Sequence, residues 1–357
     1  MILVQQAHIY NVINHSILWC VSFVICLLFL SSAVIAEDDK ALTIKQAVQQ
    51  GLVTNPDVLS EFHNTQATRK ELRQARAQYL PSIDLSGDVG KEYTRNPITQ
   101  GGIGSSGENL TRRRINVQLT QQIFDGLDTH YEIKRQKGRI RSAEFNVYET
   151  KEQTALDIIN AYIDVYEQRG LLRIAEQNVE KHREFLGNVK KSTDAGRTSL
   201  VDVDQVVSRL AAARAQLSTV KEDLATAIAA YNQAAGVLPG TLEKPFGPLS
   251  KLAGDLSQQI DVTLKSSPAV LAAQADIDTA QAEYKQTISP YLPQVDFEAS
   301  GEEAEDISGV EGKNQSASAL AVVNWNLYNG GGDSARRDEF EYRLAEARAI
   351  HAQVIRQ

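Results

Sequence analysis

From Leu127 to Ala235 the chain carries no proline, and a single break, Thr193-Asp194-Ala195-Gly196-Arg197-Thr198-Ser199, interrupts an otherwise helical pattern. After the break Val203, Val206, Val207, Leu210, Ala213, Leu217, Val220, Leu224, Ala227 and Tyr231 recur at alternating steps of three and four. Charged and Gln residues fill the positions between them. That is a seven-residue apolar repeat, the mark of a coiled-coil seam. Before the break Ala155, Ile158, Ile159, Tyr162, Val165 and Tyr166 follow the same rule. At about 1.5 Å per residue the first arm reaches roughly 100 Å and the second roughly 50 Å. A rod of that length serves either a soluble coiled coil or bundle, or one wall of a helical tube. The hairpin alone does not choose; its flanks do.

The flanks repeat. Asn55-Pro56-Asp57-Val58 pairs with Ser267-Pro268-Ala269-Val270, and Tyr79-Leu80-Pro81-Ser82-Ile83-Asp84 with Tyr291-Leu292-Pro293-Gln294-Val295-Asp296 at the same offset. Ile123-Phe124-Asp125-Gly126 then pairs with Leu327-Tyr328-Asn329-Gly330. Each half is expected to open with a helix that carries Pro near its start and ends at Tyr-Leu-Pro, because Pro disfavours helix in the residue before it. Segments alternating with period two follow each helix. In the first half Ile83, Leu85 and Val89 oppose Ser82, Asp84, Ser86 and Asp88, and Ile115, Val117, Leu119 and Ile123 oppose Arg114, Asn116, Gln118, Thr120 and Gln122. In the second, Val295, Phe297 and Ala299 oppose Gln294, Asp296, Glu298 and Ser300, and Ala319, Ala321, Val323, Trp325 and Leu327 oppose Ser318, Asn324 and Asn326. Such strands suit either a two-layer sheet over a soluble core or a wall with a wetted lumen; the run of Asp, Glu, Gln and Asn on one face favours the lumen. Tyr93, Phe124, Trp325 and Tyr328 lie near segment ends, where interfacial aromatics belong. The links Thr94 to Thr111 and Glu302 to Gln315, rich in Gly, Ser, Asn and charge, read as exposed loops.

Composition excludes several functions. A net charge of −8 argues against a nucleic-acid partner. Both cysteines, Cys20 and Cys26, fall in the apolar run Ile17 to Leu30, which with Ser31 to Ala36 reads as a secretory signal over 1–36. That region holds no Lys or Arg, so an uncleaved anchor is the alternative. No later segment is apolar enough for a membrane helix, so membrane residence would have to be by strands. Four strands cannot close a barrel alone, since open edges in lipid strand their backbone groups; several chains would share one. No catalytic, cofactor-binding or metal residues are expected: His63, His130, His182 and His351 lack a second zinc-type ligand at i,i+4, and Gly330-Gly331-Gly332 lacks the Lys-Ser/Thr of a phosphate loop.

The repeat, the Tyr-Leu-Pro junctions, the turns Phe124-Asp125-Gly126 and Tyr328-Asn329-Gly330-Gly331, and the hairpin tip together resemble the outer membrane efflux protein (TolC-like) family, with the turns most like its type I secretion branch. The resemblance covers essentially all of the chain after residue 36. It implies a fold that is mainly α with membrane β: long antiparallel coiled-coil helices and four strands per chain, joined in a trimeric 12-stranded barrel and helical tunnel. It implies an outer-membrane channel-tunnel passing drugs or secreted protein. The implied partners are a homotrimer, a periplasmic adaptor, an inner-membrane pump and outer-membrane lipid. A periplasmic adaptor or structural coiled-coil protein is the alternative, though adaptors need no duplicated helix–strand–strand–helix unit. On the tip motif Gly196-Arg197-Thr198-Ser199-Leu200-Val201-Asp202-Val203 the resemblance places adaptor contact and gating, at Gly196, Arg197, Ser199 and Asp202. Asp194 and Asp204 add charge near the mouth. Plain helix capping explains an Asp or Ser there equally.

The expected division is a signal at 1–36; a first repeat at 37–235 with helix 56–78, strands 82–93 and 114–124, and hairpin 127–235; an equatorial connector at 236–266; and a second repeat at 267–357 with helix 268–289, strands 293–301 and 316–328, and a helix from 332. Gln357 aligns with Gln153, so a second hairpin matching the first is expected to be missing.

Overall fold

The computed structural model describes residues 41–96, 107–245 and 255–356. The expected signal at 1–36, the middle of the first strand link, residues 246–254 of the connector and Gln357 lie outside the described residues. The elements in order are α1 (Ile44–Thr54), α2 (Pro56–Ala77), β1 (Ser82–Thr94), β2 (Glu108–Phe124), α3 (Asp128–Asp194), α4 (Leu200–Ala235), α5 (Leu256–Ser266), α6 (Pro268–Gln286), a 3-10 turn at Ser289–Tyr291, β3 (Gln294–Ile307), β4 (Val310–Asn324) and α7 (Gly332–Val354).

The rod is α3, 67 residues long, with α4, 36 residues long, folded back on its far half. Val206, Leu210, Ala213, Val220, Ala227 and Tyr231 of α4 are buried, with Leu217 and Leu224 half-buried between them. They form the seam against α3, where Ile158, Tyr162, Val165 and Val179 are buried. Val207 belongs to the apolar repeat by spacing but is exposed, because it stands about 100° round the helix from Val206.

At mid-height α1 and the chain around Leu242 clamp this hairpin. Leu42 and Leu242 form a parallel bridge, and the Tyr162 hydroxyl reaches the carbonyls of Leu42 at 2.6 Å and Glu243 at 2.7 Å. Arg169 donates to the carbonyls of Gly240 and Pro239 at 2.6 and 2.8 Å. Thr43 and Gln46 close a capping box at the start of α1, which buries Ala47 and Gly51 against this waist.

The near half of α3 packs between α2 and α6. The Thr65 hydroxyl donates to the Ala143 carbonyl at 3.2 Å, and Arg69–Glu144 and Arg141–Asp278 pair across the two grooves. Arg139 pairs with Glu71 as well. Gly138 lets α6 approach: a Cβ there would overlap the Thr279 hydroxyl and come within 3.2 Å of its Cα. Ala is favoured over Gly by about 1 kcal/mol in an open helix, but overpacking against backbone costs about 1–3 kcal/mol. Gly138→Ala is therefore expected to lower the urea midpoint, where Gly170→Ala, with open space around it, raises it.

The sheet is an antiparallel meander in the order β1-β2-β3-β4. Each strand-to-helix reversal uses left-handed backbone: Gly126 and Leu127 at φ 68° and 73°, Gly330 and Gly331 at 57° and 83°. At the first, a side chain on Gly126 would also meet the Ser289 carbonyl. The buried Asp125 accepts from the Thr129 amide at 2.6 Å and serves as cap for α3.

Several expected bounds need correction. β2 begins at Glu108, not 114. The stretch Glu302 to Gln315 is not a loop: β3 runs on to Ile307, β4 starts at Val310, and only Ser308-Gly309 turns, both at positive φ as a tight primed hairpin requires. Past the apolar rows both faces of these strands are charged, so period two disappears; cross-strand pairs Arg113–Glu305 and Lys313–Glu303 hold them instead. β4 ends at Asn324 rather than 328, and α6 ends at Gln286 with a 3-10 turn after it rather than at 289. The connector also contains α5.

Candidate functional site: a two-faced sheet and a helical tip

The register sorts the sheet into two faces. Ile83, Leu119, Ala299 and Ala319 form one row of one face, and Leu85, Val117, Gly301 and Ala317 the next. Ile83, Leu85 and Val89 are 70%, 73% and 75% exposed, and Ile115, Val117 and Ile123 are open too. On the opposite face Arg112, Arg114, Asn116, Gln118, Thr120 and Gln122 are half-buried. The polar side of β2 is thus the more sheltered one. Arg112 pairs there with Asp88 at 2.7 Å and Glu92 at 3.2 Å, and Arg114 with Asp88 at 2.7 Å and Glu302 at 3.9 Å.

A sheet in water covers its apolar face and leaves the polar one open. This one does the reverse. Helices pack on helices and strands on strands, so among the described residues no element packs across the apolar rows. Among the described residues the outer edges of β1 and β4 have no strand partner either. Trp325, whose indole N–H donates to the Tyr291 carbonyl at 3.2 Å, gathers with Tyr328 and Phe124 at the helix end of the sheet, and Tyr93 stands toward the other end. No helix among the described residues is long and apolar enough to cross a membrane.

At the junction of sheet and rod, Asp128 opens α3 beside α6. Burial pushes its carboxyl up from the ordinary aspartate range, against a hydrogen bond from the Gln286 amide at 3.0 Å. Nearby Glu132 and Glu283 share Arg135.

The far end of the rod brings the expected tip residues into one turn. Gly196, at φ 69°, donates to the Thr193 carbonyl at 2.8 Å, and the Arg197 amide reaches back to Ser192 at 2.9 Å, a Schellman closure of α3. Ser199 caps α4: its hydroxyl accepts from the Val201 amide at 3.1 Å, and its own amide donates to Asp202 at 3.0 Å. Asp202 is therefore occupied in a capping box. Asp194, Arg197 and Asp204 are exposed, with no ion pair among the described residues. Leu200 and Val201, each 73% exposed, sit on the outermost turn. Two adjacent apolar residues at a helix start, off the seam, are the signal that would have singled them out.

Among the described residues the chain is a four-stranded sheet with one bare apolar face, carried on a long helical rod. The outer membrane efflux protein family matches residues 47–237 and 259–357, and the chain belongs to that family. It is 25% identical over 307 residues to the outer membrane efflux protein BepC of Brucella suis, covering 86% of this chain and 65% of BepC. To the alkaline protease secretion protein AprF of Pseudomonas aeruginosa it is 25% identical over 192 residues, 52% of this chain and 38% of AprF. The fold matches the crystal structure of the Campylobacter jejuni CmeC outer membrane channel with a TM-score of 0.77 at 11% identity, over 87% of this chain and 67% of that one. The chain thus spans about 65% of the length of BepC. It is an outer-membrane protein, and the adaptor alternative falls away.

Proposed function

We propose that three copies of the chain share one barrel, β4 of each pairing with β1 of the next, so that three 4-stranded sheets supply twelve strands. The observation that carries this is the inverted sheet: apolar rows bare on one face, the polar row of β2 half-buried on the other. Closure removes both open edges and turns the polar face into a water-filled lumen. The rod extends that lumen into the periplasm by about 100 Å. The product is a passive conduit, with no catalysis, for drugs or secreted protein. The likeness to an alkaline protease secretion protein supports secretion. The succession helix–strand–strand–helix, in α2-β1-β2-α3 and again in α6-β3-β4-α7, supports an internal duplication.

The tip is the surface for a periplasmic adaptor, and through it an inner-membrane pump. Leu200 and Val201 supply the apolar contact, beside Gly196, Arg197 and Ser199. Asp202, with Asp194 and Asp204 near it, gates the mouth by charge. Asp202→Asn separates this from capping, because an amide oxygen still accepts from the Ser199 amide while the charge is gone. It is expected to change conductance and leave the melting temperature alone; the opposite pattern assigns Asp202 to capping.

The reading as a whole is tested by membrane fractionation and by planar-bilayer recording. The expected result is a heat-sensitive trimer in the outer membrane that conducts ions when reconstituted. A monomer that stays soluble without detergent would overturn it.

A further inference from the structure

The tip of the β3–β4 hairpin leaves the sheet. β2 pairs with β1 as far as Glu108 opposite Thr94, yet its pairing with β3 stops at Arg113 opposite Glu305. Beyond that point Asp306 stands at φ 57°, followed by Ser308 at 57° and Gly309 at 79°. Ser308 and Gly309 take the primed-turn backbone of the hairpin, and Asp306 sits at the bulge in the β3–β4 ladder. The turn is held from β1, two strands away. Glu92, on the polar face, accepts from the Ser308 amide at 3.0 Å, and the Asn96 side-chain amide donates to the Ser308 carbonyl at 2.8 Å. Glu92 is itself fixed by the Arg112 guanidinium at 3.2 Å and the Thr94 hydroxyl at 2.8 Å.

The bridge from Glu92 to Ser308 spans β2 at Leu110, the residue opposite Glu92. Leu110 and Ala304 are the two buried residues among the described strand positions, at 9% and 2% exposed. Both lie on the face that carries Asp88, Glu92, Arg112, Arg114, Asn116 and Glu302, where β4 also sets Leu320 and Val322. Apolar side chains on a wetted wall, and buried there, mark a place where the wall is covered. The ends of the tip are suited to bending: Gly312 has φ 103°, and its amide donates to the Asp306 carboxylate at 3.0 Å.

We propose that the Ser308-Gly309 turn is a gate at the end of the barrel remote from the helices, latched across the lumen face by Glu92 and Asn96 and hinged at Asp306 and Gly312. This rests on the conduit reading above. Three tips leaning inward narrow one mouth, and release returns each hairpin to the line of its strands. Every latch partner is polar, so water can replace it when the tip swings out, which lets the gate move without stranding a buried group.

The test is single-channel recording of the purified, reconstituted full-length protein. Glu92→Ala with Asn96→Ala is expected to raise the unitary conductance and remove brief closures. Should that variant fail to assemble, Asn96→Cys with Ser308→Cys, in a chain carrying Cys20→Ser and Cys26→Ser, gives the converse readout: oxidation lowers conductance and a reductant restores it. Unchanged conductance in an assembled variant, or a cysteine pair that will not join, overturns the gate. A wild-type protein that forms no channel at all overturns instead the conduit reading beneath it.

Discussion

Val117→Arg should empty the outer membrane of assembled protein, while Gln118→Arg, one residue along, leaves assembly intact. Val117 stands mid-strand in β2, in the apolar row with Leu85, Gly301 and Ala317. A guanidinium near the middle of a barrel's lipid face costs about 2–4 kcal/mol, and a shared barrel incurs that cost in every copy. Gln118 faces the other way, directly opposite Asp84, where a cation meets water and a carboxylate. The measurement is the fraction of heat-modifiable oligomer in the membrane, with urea midpoints for whatever assembles. Equal behaviour of the two variants would mean that the apolar rows do not meet lipid.

The second large effect is expected at the waist, where two fully buried tyrosines differ in one respect. The Tyr162 hydroxyl holds the carbonyls of Leu42 and Glu243, whereas the Tyr231 hydroxyl has no partner among the described residues. Tyr162→Ala removes a core aromatic and should cost about 3–5 kcal/mol. Tyr162→Phe leaves the Glu243 carbonyl without that donor, for a loss of about 1–3 kcal/mol. Tyr231→Phe deletes a buried group that gains nothing from its surroundings and should be neutral or stabilising. Burial pushes both phenols up. Above about pH 10 the unfolded chain therefore loses these protons first, the folded chain holds more, and stability falls with rising pH. Tyr231→Phe should flatten that fall. Urea titrations between neutral and strongly alkaline pH read all four results, and a Tyr231→Phe loss equal to that of Tyr162→Phe would refute the assignment.

Seven-residue spacing makes the α3–α4 seam legible, since Leu210 and Ala213 can be buried together only on a helix. Period two makes the sheet legible only where one face is apolar and the other polar. From Glu302 on, charge occupies both faces, and the hairpin that ends in Ser308-Gly309 looks like a loop. Leu200 and Val201 are legible only by position, as an adjacent apolar pair at a helix start that lies off the seam. The latch partners Glu92 and Ser308 are 216 residues apart, a separation that no local pattern encodes. At the tip, Ser199 and Asp202 are legible as a capping pair from spacing alone. A role for the same carboxylate in gating depends on neighbours outside the chain.

The two central strands of the meander are consecutive in space and far apart along the chain: Arg113 of β2 meets Glu305 of β3 across 192 residues. Ribosomal order therefore separates two quick events from a slow one. The β1–β2 and β3–β4 hairpins and the helical rod join near neighbours and can form as they emerge, but the ladder between β2 and β3 must await the 192 residues that separate its partners. Until it zips, two greasy ribbons remain tethered by a long spacer in an aqueous compartment, and their safekeeping during transit falls to whatever binds unpaired strands there.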